Sequence, residues 1–406
     1  MDSGDTAWLL MSSALVMIML PGLALFYGGL VRSKNVLSTV MHSFFGLALV
    51  SVVWVLIGFT LAFGPDVGGL GLIGGLDFAM FNGVGLTPSP NYATTVPFVL
   101  FAAFQLMFAA ITPALITGAF AERKRFGAFV LFTILWSILV YSPLAHWVWS
   151  TDGWLYKLGA LDFAGGTVVH ISSGVSALIV ALLIGRRATN GEPMTPHDVP
   201  MTVLGAGLLW FGWFGFNAGS AVTAGGLAAS AFIVTNTSAA AATITWVLAS
   251  YLHKRKVSVI GAACGAVAGL VAITPASGFV SAGGALGIGL VAGGLCYSAT
   301  LLRERIKVDD ALDVFAVHGV GGMFGAVATG VFATAAVQPA FTGLLEGNGL
   351  QLVHQIVAVG ATLGYAVVAT FVIVKVVDLL LGIRVKPADE ALGLDLSVHG
   401  EVAYQV

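Results

Sequence analysis

Apolar runs long enough to cross a bilayer recur about eleven times along this chain. A helix of about 20 apolar residues spans the hydrocarbon core of a membrane, and these runs lack the period-two alternation of an outer-membrane barrel strand. Their approximate bounds are residues 7 to 31, 36 to 64, 94 to 121, 126 to 148, 162 to 186, 198 to 220, 226 to 252, 257 to 273, 279 to 302, 311 to 335 and 351 to 382. The sequence therefore predicts an all-α polytopic membrane protein with eleven transmembrane helices.

The positions of the basic residues test this count independently. Of the 17 basic residues, only Lys157 lies in a connection on the side of the membrane opposite to the basic clusters, and Lys375 lies inside the last run. The others fall in alternate connections: Arg32 and Lys34; Arg123, Lys124 and Arg125; Arg186 and Arg187; Lys254, Arg255 and Lys256; Arg303, Arg305 and Lys307; Arg384 and Lys386. Because Lys and Arg accumulate on the cytoplasmic side, we expect the N-terminus outside and the C-terminus in the cytoplasm.

The composition excludes a soluble enzyme. Only 9% of the residues are charged and 58% are hydrophobic, whereas an ordinary globular domain is about a quarter charged. We therefore expect one transmembrane domain over residues 1–382 and a cytoplasmic tail over 383–406. The net charge of -2 disfavours nucleic acid as a partner, and the first residues lack the basic segment and cleavage signal of a secretory leader.

Two histidines stand out because ionisable groups inside membrane spans are rare and often functional. His170 and His318 each follow an aspartate, Asp162 and Asp310, by eight residues. Eight residues of helix measure ~12 Å, so aspartates at the two membrane edges would put both histidines near the midplane of a ~30 Å core. The fifth run enters from outside and the tenth from inside, so we expect the two histidines at matching depth.

This opposition indicates two inverted five-helix halves, about 7–186 and 198–335, followed by a last helix at 351–382. Five is an odd number of spans, so the second half must have the opposite topology, and transporters place their sites where such halves meet. The segments TVVHISSG and FAVHGVGG agree, since each has Val before the histidine and Gly four residues after it. We expect these glycines, Gly174 and Gly322, to leave room beside each imidazole.

Two alternatives remain open for this pair. Each histidine could be a buried polar residue satisfied by a neighbouring helix, or the two could bind a metal, since imidazole is a common ligand. No carboxylate or cysteine is spaced to complete a metal site, and Cys264 and Cys296 lie in apolar runs that indicate neither a disulfide nor a metal centre. No metal or cofactor is predicted, and His42, which has no counterpart, is expected to be structural.

Long segments of the chain resemble the ammonium transporters, the Amt proteins related to the methylammonium permeases and Rh glycoproteins. The segments are LPGLALFYGGLVRSKNVLS (20 to 38), ITGAFAERKRF (116 to 126), LDFAGGTVVHI (161 to 171), WFGWFGFNAGSA (210 to 221), VDDALDVFAVHGVGG (308 to 322) and GLDLSVHGEVAY (393 to 404). The likeness covers nearly the whole chain, and it is closer to the bacterial and archaeal Amt proteins than to the Rh proteins.

The resemblance implies a homotrimer in the cytoplasmic membrane with one pore through each subunit. By the family motifs, His170 and His318 line the pore, and Phe108 and Phe216 close it from outside. An outer vestibule that binds ammonium is implied at Phe104, Phe108, Trp149 and Ser220, with Asp162 as structural and electrostatic support. It also implies that a PII-type regulatory protein docks at the cytoplasmic face near the tail. The alternative for the tail is a frayed chain end.

Three classes of function remain at this point. Transport of ammonium or ammonia is favoured, and the chain has no phosphate-binding loop for ATP. An ammonium sensor that signals through a partner protein could use the same pore residues. An intramembrane metalloenzyme built on the histidines would need a third ligand and a path for water, so we expect no catalytic residues and no enzymatic activity.

Overall fold

The computed structural model describes residues 1–188 and 195–404 as a bundle of helices. In chain order these are α1 (Ser3–Leu30), α2 (Ser33–Phe63), α3 (Phe98–Phe120), α4 (Phe126–Leu158), α5 (Gly166–Ile184), α6 (Val199–Gly219), α7 (Gly226–Lys254), α8 (Val259–Ile273), α9 (Ala282–Ile306), α10 (Phe315–Phe332), α11 (Gly349–Leu381) and α12 (Pro387–Leu392). Within these residues, β pairing is limited to isolated bridges. The all-α prediction is therefore confirmed.

Ten of the described helices are long and apolar enough to span a membrane, which makes the chain a multi-pass membrane protein. The predicted run at 257 to 273 is the exception, because α8 has only 15 helical residues. Such a helix is ~22 Å long, less than the ~30 Å hydrocarbon core, and the chain continues from it in turns as far as residue 279. Eleven spans thus remain a prediction.

Several helices begin later than their apolar runs because polar residues or proline set the start. Helix α3 begins at Phe98, directly after the extended Pro97, rather than at 94. Helix α5 begins at Gly166, and the Asp162 carboxylate accepts hydrogen bonds from Gly165 N (2.7 Å) and Gly166 N (2.6 Å). A carboxylate at a helix N-terminus satisfies N–H groups that lack an intrahelical partner, so it fixes the first turn of α5.

Asp310 occupies the corresponding place at the start of α10, where its carboxylate accepts a hydrogen bond from Phe315 N (2.7 Å). In both helices a π-helical stretch begins a few residues after the aspartate. It covers Gly166–Ile171 in α5 and Phe315–Gly319 in α10. In a π turn the N–H bonds five residues back, as His170 N does to Gly165 O (3.0 Å). Such turns occur often at functional sites, and both histidines lie in one.

Helices α5 and α10 cross at close range because each has a glycine at the crossing. A Cβ atom on Gly174 would lie 2.1 Å from Gly319 N, and one on Gly322 would lie 2.9 Å from the Cβ of His170. From the sequence, each glycine is expected to leave room beside the imidazole of its own helix. That expectation is wrong, since each glycine instead admits the opposite helix.

The segment 383–404 packs on one end of the bundle, which we call the tail face. The Asp395 carboxylate accepts a hydrogen bond from Ser38 N (2.8 Å) at the start of α2. Glu390 is buried, pairs with Arg384 within the segment (2.8 Å) and accepts a hydrogen bond from Ala188 N (2.6 Å) in the connection after α5. These contacts hold the segment against the connections between the spans, so through residue 404 it is a packed element rather than a frayed end.

Candidate functional site

The two predicted histidines contact each other in the interior of the bundle. His318 Nδ1 and His170 Nδ1 are 3.2 Å apart, and the ring planes are inclined by 25°. A hydrogen bond between these atoms requires one ring to donate from Nδ1 and the other to accept there. His170 Nε2 is buried and has no hydrogen-bond partner in residues 1–188 and 195–404. The pair therefore retains an unused nitrogen for a small hydrogen-bonding molecule or a proton.

An apolar cavity surrounds the histidine pair. The centre of a water-sized molecule can occupy only about 10 Å³ of it. This is close to the volume that a cavity needs to hold one water molecule. Its walls come from α1, α3, α5, α6, α8 and α10: Met19, Leu23, Phe26, Ile111, Leu115, Val169, His170, Leu209, Trp213, Phe216, Val267 and His318. Except for the two imidazoles and the indole of Trp213, these side chains are apolar, so a desolvated cation here would lose nearly all its hydration without replacement.

Trp213 is a residue of this cavity that the sequence analysis did not select. Its ring lies nearly parallel to that of His170, at 20° and 5.4 Å between centroids. The indole N–H donates to Thr274 Oγ1 (2.9 Å), which fixes the ring against the imidazole. The available signal was the repeated aromatic pattern WFGWFGF, which places Trp213 one helical turn from Phe216 on the same face.

Two phenylalanines separate this cavity from a second, more open one. The rings of Phe108 and Phe216 are in contact, tilted by 36° with centroids 4.3 Å apart, and both side chains are buried. Phe216 lines the histidine cavity and Phe108 lines the open one. The structure thus places these two rings together as a partition, with Phe216 also 6.0 Å from the His170 ring.

The open cavity, which we call the vestibule, is larger and more polar, at about 180 Å³. Three of the four residues expected there, Phe108, Trp149 and Ser220, line it. Phe104 does not line it, but its ring packs edge-on against Phe108 with centroids 4.9 Å apart. Ser220 Oγ donates to Phe216 O (2.8 Å), so the hydroxyl oxygen keeps its lone pairs for a donor in the vestibule.

Asp162 supports the vestibule without lining it. Its carboxylate accepts from Gly165 N, Gly166 N and Thr167 N (2.7 Å), and its backbone carbonyl accepts from Trp149 Nε1 (3.0 Å). The residue therefore orients both the start of α5, which carries His170, and the indole at the vestibule wall. This is the geometry of a supporting residue.

Gln105 is a further vestibule residue that sequence reasoning missed. Its Oε1 atom is buried and has no hydrogen-bond partner among the described residues, and its side chain lines the vestibule beside Phe101 and Phe108. An unsatisfied buried acceptor costs free energy unless a ligand or water fills it. The signal was a lone amide in the apolar segment FAAFQLMF, which resemblance to the family did not bring forward.

Buried ion pairs join the connections at the tail face. Arg32 pairs with Glu122 (2.8 Å), and Arg187 pairs with Asp309 (2.8 Å) and lies 3.6 Å from Glu122. Burial by itself would raise the pKa of Asp309, but the hydrogen bonds and charge of Arg187 outweigh burial and lower that pKa to about 2. Asp309 is therefore ionised at neutral pH, and its ion pair with Arg187 joins two connections of the tail face.

Lys124 is buried beside this network without an acceptor for its amine in the described part of the chain. The Nζ atom lies 3.9 Å from the ring centroids of both Phe120 and Phe132. Burial places the pKa of the Lys124 amine well below its ordinary value. In the sequence, Lys124 stands out only as part of the basic cluster Arg123, Lys124 and Arg125.

The described residues contain no group of three His, Cys, Asp or Glu side chains arranged to hold a metal ion. Two imidazoles among apolar walls can exchange protons and form hydrogen bonds.

Comparison with known proteins places the chain among transporters. Residues 7–404 match the model of the Ammonium Transporter Family. An ammonium transporter of Bacillus subtilis (strain 168) is 52% identical over 407 residues, covering 100% of this chain and 99% of the relative. Ammonium transporter Amt1 of Archaeoglobus fulgidus is 48% identical over 405 residues, covering 100% of both chains.

Solved structures agree. Saccharomyces cerevisiae Mep2 superposes with a TM-score of 0.89 at 38% identity, covering 96% of this chain and 88% of its own. A structure described as a sensor Amt protein also gives 0.89, at 30% identity, covering 97% and 98%. On the family match, the identities and the shared fold, this chain belongs to the ammonium transporter family.

Proposed function

We propose that this chain moves ammonium across the membrane through its own apolar pore, with the nitrogen passing the histidine pair as ammonia. The observation that carries the proposal is the His170–His318 contact at 3.2 Å within an apolar cavity. The route runs from the vestibule, between Phe108 and Phe216, to this cavity. Each of these parts lines or adjoins the next, so a small molecule follows this route once the rings of Phe108 and Phe216 move apart.

The vestibule is suited to recruit the cation. Aromatic faces such as those of Trp149 and Phe108 attract a cation by up to about 2 kcal/mol each when desolvated. Ser220 Oγ and Gln105 Oε1 can accept hydrogen bonds from ammonium, whereas potassium has no N–H group to donate. The two ions are similar in size, so these hydrogen bonds, rather than the dimensions of the site, would favour ammonium.

The apolar cavity makes the second selection. A bare cation among these side chains has a desolvation cost of many kcal/mol, whereas neutral ammonia has little. Ammonium can therefore enter by giving up its proton, and potassium cannot. The histidine nitrogens would hold ammonia by hydrogen bonds and relay the released proton to the other side. Each ammonia is then accompanied by one positive charge, so transport gives a current.

The test is the current across liposomes that contain the protein, measured after pulses of ammonium and of potassium. The wild type should give a current with ammonium and none with potassium, and His170→Ala/His318→Ala should lose the ammonium current or its selectivity. His253→Ala is the matched control, because this histidine lies at the end of α7 and contacts Tyr297 Oη (2.8 Å). An unchanged ammonium current and unchanged exclusion of potassium in the double variant would end the proposal.

We also infer the wider architecture. Two inverted five-helix halves are supported by the matched aspartate, π turn, histidine and glycine of α5 and α10. The basic clusters favour a cytoplasmic tail face and an outer N-terminus. A homotrimer with one pore in each subunit, and a domain boundary near residue 382, follow from the family resemblance.

The tail face is the inferred place of regulation. The packing of segment 383–404 on the connections near Asn35 and Ser38 supports a role in controlling the inner end of the pore. A PII-type regulatory protein is the proposed partner at this face.

A sensor is the second candidate, favoured by the likeness to the sensor Amt protein. A sensor would bind ammonium in the vestibule and change the tail face without net flux. The liposome assay separates the two, because a sensor gives no sustained ammonium current although it binds ammonium.

A further inference from the structure

A buried ion pair lies at the end of the bundle opposite the tail face, which we call the outer face, and has no assigned role. It joins His146, in the last turn of the α4 segment Ser142–Trp149, to Asp66 in the connection after α2. His146 Nδ1 is 2.9 Å from Ala62 O, and its Nε2 is 3.3 Å from Asp66 Oδ1. The imidazole is fully buried, and the Asp66 side chain is only 6% exposed. The pair therefore interacts with little screening by water.

The hydrogen-bond partners of this imidazole determine where its protons are. A carbonyl oxygen only accepts, so Nδ1 must donate to Ala62 O. Asp66 Oδ1 already accepts from Leu72 N (3.0 Å). Burial by itself would raise the pKa of the Asp66 carboxyl, but the backbone of Gly71 and the contact with His146 keep that pKa below its ordinary value. An ionised carboxylate also only accepts, so Nε2 donates as well, and His146 is an imidazolium.

The loop that this ion pair anchors is held against the vestibule wall. Trp147 Nε1 donates to Leu72 O (2.8 Å), and Trp154 N donates to Gly71 O (3.2 Å). The chain between these two tryptophans includes two side chains that line the vestibule. The loop therefore holds that part of the wall from both ends.

A second series of contacts reaches the vestibule through Asp152. Its carboxylate accepts a hydrogen bond from Asp66 N (3.4 Å), and its own N–H donates to Ser150 Oγ (3.2 Å). Ser150 Oγ in turn lies 3.0 Å from Tyr92 Oη. Tyr92 and Trp149 both line the vestibule. The ion pair is thus connected to the cation-binding wall by two separate routes.

We propose that the Asp66–His146 ion pair positions the vestibule wall at Trp149 and thereby sets the affinity for ammonium. This inference rests on the proposed function, in which the vestibule recruits the cation. A cation–π contact depends on where the ring face lies, and a site that is already ordered loses less entropy on binding. Charge-assisted hydrogen bonds are roughly twice as strong as neutral ones, so an uncharged pair would hold the wall less firmly. Neither Asp66 nor His146 lines the vestibule, so both act through Trp149.

The test has two readouts of half-saturation by ammonium. One is a titration of the intact protein in detergent with ammonium chloride, followed by tryptophan fluorescence, because Trp149 lines the vestibule. The other is the ammonium concentration that gives half the maximal current in liposomes. Asp66→Asn keeps the size of the side chain and removes its charge, so we expect both concentrations to rise about fivefold or more. The maximal current should stay within about twofold, since the histidine cavity is unchanged.

Two further variants test the pair itself. His146→Gln removes the imidazolium and should raise both concentrations in the same way, which keeps the test open if Asp66→Asn does not fold. The double variant should bind no more weakly than the weaker single variant, because both substitutions remove one contact. Glu346→Gln is the matched control. It removes one negative charge from the outer face, at a carboxylate that accepts from Ala335 N (3.0 Å) and does not line the vestibule.

Three results would overturn the positioning role. The first is equal half-saturation in the wild type and in both single variants. The second is an equal rise in Glu346→Gln, which would mean that ammonium responds only to the charge of the outer face. The third is a lower maximal current at unchanged half-saturation, which would make the pair merely structural. A wild type that binds ammonium but carries no current would instead overturn the proposed transport, and the fluorescence titration would still decide on the ion pair.

Discussion

Replacing Gly174 by alanine should separate the histidine pair. The added Cβ would lie 2.1 Å from Gly319 N and 2.4 Å from Gly319 Cα. These are backbone atoms of α10, so no side-chain rotation can relieve the clash. Ordinary contact begins near 3.4 Å, so α10 must recede from α5 by roughly 1.3 Å at this point.

A shift of that size is large beside the contact that it disturbs. The Nδ1 atoms of His170 and His318 are 3.2 Å apart, and a displacement of about 1 Å takes them beyond hydrogen-bonding distance. Insertion of a methyl group into a close-packed crossing costs about 1–3 kcal/mol. In Gly322→Ala the Cβ meets the His170 Cβ at 2.9 Å, so the required shift is roughly 0.5 Å and the effect should be smaller.

The assay is the ammonium current in liposomes together with the thermal unfolding midpoint in detergent. Gly174→Ala should lower both most strongly, and Gly322→Ala should lower both less. Gly207→Ala and Gly364→Ala are matched controls, because an added Cβ at either position has no neighbour within 4 Å; alanine there should raise helix stability by up to about 1 kcal/mol. A Gly174→Ala protein with the current and midpoint of these controls would refute the crossing argument.

Two further predictions concern the tail face. Burial lowers the pKa of Lys124 below that of the unfolded chain, which is about 10.4. Between these two pKa values the unfolded chain binds more protons than the folded one. The wild type should therefore gain stability as pH rises through this window. Lys124→Met should abolish this pH dependence of stability and raise stability by about 1–4 kcal/mol at pH 7. The measurement is thermal unfolding at pH 7 to 9. A variant less stable than the wild type would mean that the Phe120 and Phe132 rings hold a cation. Truncation after residue 388 removes the Asp395 contacts and should lower transport or abolish its control by a PII-type protein, while insertion in the membrane persists. Full activity with undiminished PII binding in the truncated protein would show that the tail is dispensable.

Apolar run length was sufficient to predict most of the fold. It gave ten spans that the structure also has, because the energetic requirement of a bilayer acts directly on composition. It failed at α8, whose 15 helical residues lie within a longer apolar run, since apolarity does not distinguish helix from the turns that follow it. Helix starts were missed where a side chain or proline decides them, as at Asp162 and Pro97.

The equal spacing of His170 and His318 from two aspartates predicted that they lie at matching depth. The role of the nearby glycines was not predicted. A glycine in a helix pattern indicates that space is needed, and the pattern does not say what occupies the space. The vestibule residues came from family motifs and not from spacing. Gln105 and Lys124 were missed because the depth of a polar side chain depends on neighbours from distant parts of the chain.

The π turns that carry His170 and His318 have a consequence for how this site could change. A π turn contains one residue more than an α turn, and each residue rotates a helix by about 100°. Deletion of Ile171, which lies in the π turn between His170 and the rest of α5, would restore an α turn and rotate His170 away from His318 while the rest of α5 kept its packing. The orientation of each imidazole is therefore set by the number of residues within a single turn. It can change without altering the surfaces that α5 and α10 present to the rest of the bundle.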